Sequence, residues 1–121
     1  MANENRPAWT AGAPVNGVAH LKTGGEIARL KQSAQWANGD RAAESLAKNG
    51  ELSVTLMALK RGAALKEHHA RGTVAVTVLA GAIRLNGADY AAGDVAVIDR
   101  EIPHAVEALE ESALLLTAAL G

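Results

Sequence analysis

Three of the four histidines in this 121-residue chain stand where nitrogen chemistry is available. His68 and His69 are adjacent and follow Glu67 in the stretch EHHARG, and His104 follows Pro103. Imidazole is the commonest nitrogen ligand for a metal and titrates near neutral pH, so each can ligate, accept a proton or hydrogen-bond a ligand. Cysteine is absent, which excludes disulfides, zinc–thiolate sites and a cysteine nucleophile. Any metal here must therefore sit on nitrogen and oxygen. Successive side chains of a strand point to opposite faces, so His68 and His69 cannot both face one interior unless a bulge re-aims one of them. Two sets follow. Glu67, His69 and His104 would make a two-histidine, one-carboxylate site for one divalent transition metal (Fe, Mn, Zn or Ni). His68 with His104 would leave Ala70 as strand-mate, and two imidazoles alone suit proton transfer or hydrogen bonding to a ligand.

The elements that must bring these residues together are short strands. Residues 1–25 carry Pro7, Pro14, Gly12, Gly17, Gly24 and Gly25 and read as an irregular arm. Ile27, Leu30 and Ala34 are spaced for one short helix in EIARLKQSAQW. From residue 42 the texture changes. Asn49-Gly50 and Asn86-Gly87 are hairpin signals, because both residue types tolerate positive φ. Leu52, Val54, Leu56 and Ala58 alternate with Ser53 and Thr55, the pattern of a half-buried strand. AALKEHH, TVAVTVLA, AIRL, ADYAA and VAVI follow, with Gly72, Gly81 and Gly93 as turn glycines. The tail HAVEALEESALLLTAAL is rich in helix formers but lacks an N-cap before Ala105, and it reads as two further strands around Glu110-Glu111. Seven to nine such strands predict an all-β sandwich or barrel. The division is an arm over 1–41 and a β domain over 42–121.

On these residues the chain resembles the cupins, small jelly-roll β-barrels. Their first motif runs from a glycine through a histidine pair one residue apart and a glutamate to a closing glycine; Gly62 and Gly81 match its ends. Their second runs from Gly-Asp to a proline and a histidine, matched by Gly93, Asp94, Pro103 and His104. Counting back from Gly81 puts Val74 at the glutamate position, where no ligand is possible, while the pair falls on Glu67 and His69 or on His68 and Ala70. The resemblance implies a cupin jelly-roll β-barrel with an interior pocket, in which Val74, Val76 and Tyr90 line the space beside the histidines. It implies a metal-dependent enzyme acting on a small organic molecule, or a metal-free sensor or ligand-binding cupin.

Composition narrows the partners. A net charge of −1 provides no footprint for nucleic acid or an anionic membrane. The polar N-terminus lacks the apolar run of a secretion signal, and no apolar stretch approaches the roughly 20 residues of a bilayer span, so a cytoplasmic setting is expected. With only 2% aromatic residues and no Phe, the core must be aliphatic. Trp9 and Trp36 fall outside the expected barrel, where they either line a homodimer interface or cap their own subunit.

Overall fold

The computed structural model describes residues 14–68 and 71–120 together with Trp9 and Gly12, with Glu67 and His68 described in their backbone alone. The described residues form α1 (Thr23–Leu30), α2 (Ala34–Asn38) and nine strands. These are β1 (Arg41–Lys48), β2 (Leu52–Leu59), β3 (Ala64–His68), β4 (Val74–Ala80), β5 (Ala82–Leu85), β6 (Ala88–Ala91), β7 (Val95–Ile98), β8 (His104–Ala108) and β9 (Ser112–Ala119). Every strand pair is antiparallel. One sheet has five strands in the order β1-β2-β9-β4-β7, and the other has four in the order β3-β8-β5-β6.

Alternation places the core between the sheets. Val74, Val76 and Val78 of β4 meet Leu59 of β2, Leu114 of β9, Ile83 and Leu85 of β5, and Val106 of β8 in one cluster. Burying an aliphatic side chain of this size is worth about 1.5–3 kcal/mol, so this cluster supplies the main driving force of the fold. A second cluster lies on the other face of the five-stranded sheet, where Leu30 of α1 packs on Ala42, Leu46, Leu56 and Ala58, with Trp36 of α2 against them. β2 is therefore covered on both faces over its second half, with Met57 and Leu59 turned to one core and Leu56 and Ala58 to the other. That corrects the half-buried strand expected from its alternation, because the covering helices lie upstream of β1 and leave no mark on the sequence of β2.

The single helix expected across EIARLKQSAQW is instead two. Lys31 ends α1, and Ser33 starts α2 by accepting a hydrogen bond from Trp36 N at 3.3 Å. Serine competes for the backbone in this way and so favours caps over helix interiors. The Trp36 ring lies 4.9 Å from Lys60 Nζ and 5.9 Å from Lys31 Nζ, an arrangement that ties α2 to its own sheet.

Both Asn-Gly hairpins form, by different means. Asn86 (φ 48°) and Gly87 (φ 83°) take the left-handed conformations of a two-residue turn. Asn49 and Gly50 do not; there the buried Asn49 side chain accepts from Glu51 N at 2.8 Å and Leu52 N at 2.9 Å and so builds the turn itself.

Candidate functional site

β8 carries its inward residues at His104, Val106 and Ala108, which are 2%, 5% and 1% exposed, with Glu107 exposed between them. His104 is thus a polar side chain set into an aliphatic interior. Its Nδ1 lies 3.3 Å from the carbonyl oxygen of Ile102. A carbonyl only accepts, so this contact is a hydrogen bond in the tautomer that carries the proton on Nδ1.

β3 runs beside β8, and their register decides which neighbour shares the interior with His104. Ala64 pairs with Glu107 and Leu65 with Val106; then the register shifts, and His68 pairs with His104. Three steps along β3 match two along β8, so one extra residue is accommodated at Lys66–Glu67, a β-bulge. Without it position 67 would lie opposite His104. Directly opposed positions of an antiparallel pair share a face. Position 68 therefore stands on the face that carries His104, and Glu67 falls within the bulge. His69 and Ala70 lie outside the described residues.

The other sequence candidates separate. Val74 and Val76 are 4% and 2% exposed and belong to the packed core on β4. Tyr90, half-buried on β6, lines a cavity of about 420 Å³ between the edge strands β6 and β7, with Leu85, Ala96, Ile98 and Ile102. Ile102 connects the two features, since it lines the cavity and its carbonyl oxygen lies against the His104 ring. Arg84 and Asp89, on the outer side of the β5–β6 hairpin, form an exposed ion pair; the guanidinium hydrogen bond holds Asp89 below the ordinary carboxylate range.

A divalent metal needs a set of donors converging on one point, and the described residues do not supply it. No group of three His, Asp or Glu side chains is poised to hold an ion among them. The inward face of β4 offers Val74, Val76 and Val78, none of which can ligate. Among the described side chains, the nitrogen donor on this side of the interior is His104 of β8.

Sequence reasoning missed two polar anchors. Ser112 is buried at 2% exposure and its Oγ accepts from Ala82 N at 3.1 Å. Asn86 bonds the backbone on both sides of His104. The partners are thirty residues away for Ser112 and seventeen to nineteen for Asn86, separations that carry no periodic signal.

No protein-family model and no curated protein matches the chain. Solved structures do. A conserved Streptococcus pyogenes protein of unknown function is 26% identical, with 69% of this chain and 77% of that one covered at a TM-score of 0.62. A cupin superfamily protein from Desulfitobacterium hafniense is 17% identical over 69% of this chain and 80% of its own, at a TM-score of 0.66. A variant of salicylate 1,2-dioxygenase from Pseudoaminobacter salicylatoxidans, in complex with gentisate, is 20% identical over 65% of this chain and 25% of its own, at a TM-score of 0.58. With its two antiparallel sheets enclosing an aliphatic interior, this chain has the cupin fold. The Streptococcus pyogenes protein shares that architecture at the highest identity of the three.

Proposed function

We propose that this chain binds a small organic anion with an apolar body, using an imidazole pair at positions 68 and 104 in place of a metal centre. One observation carries the reading: the bulged register that sets His68 opposite the buried His104, while the glutamate position of the cupin motif is the core residue Val74. The two sheets would close as a jelly-roll barrel over residues 42–121, with residues 1–41 as an arm on its outer face. An imidazole can donate a hydrogen bond to a carboxylate or enolate, and His104, whose Nδ1 faces Ile102 O, does so from Nε2 when it carries the compensating proton. Tyr90 and Ile102 offer apolar surface to the rest of the ligand at the cavity between β6 and β7, beside the polar Asn86 and Asp99. The gentisate complex of the structurally similar dioxygenase supports an organic acid as the ligand type. No described helix is long and apolar enough to cross a membrane.

Calorimetric titration of chelator-treated protein with benzoate tests this reading. Saturable binding of one benzoate per chain is expected. Binding that is absent until Fe, Mn, Zn or Ni is added would overturn it in favour of the second reading, a metal-dependent enzyme. The register shift on β3 favours that alternative, because a bulge can re-aim the side chains of its strand.

A second copy of this chain is the proposed macromolecular partner. Val54, Thr117, Ala75 and Val97 stand in register across four strands of the five-stranded sheet, on the face that the helices cover only further along. Thr77 and Val95 extend the patch, and Val95 and Val97 are 53% and 69% exposed. None of the six is charged. A two-fold interface sets a patch against itself, so charges of one sign would repel there, whereas an uncharged β-branched face can dock. Val97→Lys is expected to weaken dimerisation about 100-fold, since like charges facing across an interface cost several kcal/mol. Sedimentation equilibrium checks it; a wild type that remains monomeric, or a Val97→Lys protein that dimerises normally, contradicts the interface.

A further inference from the structure

The structure assigns Asn86 as a positioning residue for His104. Asn86 lies in the β5–β6 turn at the edge of the cavity between β6 and β7, and its amide brackets the histidine. Its Nδ2 donates to Pro103 O at 3.1 Å, while its Oδ1 accepts from Ala105 N at 3.0 Å. Its own backbone N–H donates to Ala105 O at 3.2 Å. Only this orientation of the amide satisfies both partners, because one contact needs a donor and the other an acceptor.

The arrangement continues a ladder. β5 and β8 pair at Ile83–Ala108, Arg84–Glu107 and Leu85–Val106, and the next step is made by Asn86 with Ala105. Beyond it, β5 has turned away into the hairpin. The Asn86 side chain takes the place of the missing peptide and carries the ladder one step further, to Pro103. That step is the one His104 occupies.

The segment approaching β8 has few other ties. Ile102 N reaches Asp99 O at 3.3 Å, and Asp99 Oδ1 accepts from Arg100 N at 2.9 Å, both within the loop itself. Pro103 has no N–H to donate. Glu101 sits at φ 63°, a left-handed conformation uncommon for a residue other than glycine, so the loop enters the strand through a sharp turn. Asn86 thus links this loop to the four-stranded sheet at the residue before His104 and the residue after it. The ring then takes its tautomer from Ile102 O, which lies in the same clamped segment. An asparagine serves both needs at this position. It tolerates the positive φ of the turn, and its amide offers one donor and one acceptor in a plane.

The functional weight of this role rests on the proposed use of His104 in ligand binding; the positioning itself does not. Protein labelled with ¹⁵N-histidine tests both, with ring-nitrogen shifts reporting the tautomer and the spectrum of His104→Gln identifying the His104 signals. Asn86→Gly keeps the turn conformation and removes the amide. It is expected to fold, to convert His104 from a single Nδ1–H form to a mixture of tautomers, and to lower benzoate affinity about tenfold. Asn86→Asp keeps the acceptor for Ala105 N–H and the tolerance of positive φ, and is expected to restore the single tautomer in large part. A folded Asn86→Gly protein whose His104 signals match the wild type overturns the assignment. A change in those signals in a protein that never binds benzoate leaves the positioning role standing and overturns the binding reading alone.

Discussion

Gly81→Ala is expected to lower the melting temperature by about 10–20 °C. Two costs combine. Gly81 has φ 80°, where an L side chain costs about 1–2 kcal/mol. A β-carbon there would also overlap the Glu111 carbonyl oxygen and Ser112 Oγ, and would lie 2.8 Å from Ser112 Cα. The backbone atoms cannot rotate away, and Ser112 is held where it is. Its buried Oγ accepts from Ala82 N at 3.1 Å and donates to Glu110 O at 2.7 Å, so moving it would break the start of β5. Overpacking of this kind adds about 1–3 kcal/mol. Gly87→Ala is the control, since Gly87 has φ 83° but open space around its added methyl. It is expected to lose only the conformational cost, about 5–10 °C. Thermal denaturation of the two variants side by side checks the difference, and equal shifts would show that the close approach to Ser112 does not matter.

His104→Gln is expected to reduce benzoate affinity about 10- to 100-fold while the protein stays folded. A hydrogen bond to a charged group is worth about 1.5–3 kcal/mol, and each 1.4 kcal/mol is a factor of ten. Glutamine retains an N–H for the Ile102 carbonyl, so that buried oxygen is not stranded, but it has no basic nitrogen to carry a proton. Alanine is a poorer probe, because it leaves both a cavity and an unsatisfied carbonyl. Calorimetric titration measures the change. Full affinity in a folded His104→Gln protein would remove His104 from the binding site.

Much of the architecture is legible in the chain, and the reasons are local. Asn86-Gly87 marks its hairpin because both residues accept the left-handed conformations the turn demands. Alternation in TVAVTVLA places Val74, Val76 and Val78 on one buried face because strand geometry has a period of two. The tail, though rich in helix formers, pairs as β8 and β9, since β9 sits between β2 and β4 and buries Leu114 against both sheets.

What stays hidden depends on distant partners. α1 and α2 cover the second face of β2, and nothing in LSVTLMAL announces that cover. The bulge on β3 falls in Lys66–Glu67, two ordinary polar residues, and is fixed only by the pairing with β8. The ambiguity between His68 and His69 was therefore a question of register, which one strand alone cannot answer. Asn86 reads as a turn residue from its local sequence, and its role beside His104 emerges only when residue 105 is brought alongside.

The central claim is that positions 68 and 104 act together on one ligand without a metal. The measurement that tests it most directly is a benzoate titration of chelator-treated, ¹⁵N-histidine-labelled protein, following the ring nitrogens of every histidine. A shared pocket predicts that His68 and His104 shift together with one midpoint, while His20 does not move. A response from His104 alone, from His69 instead of His68, or only after a divalent metal is restored would contradict it.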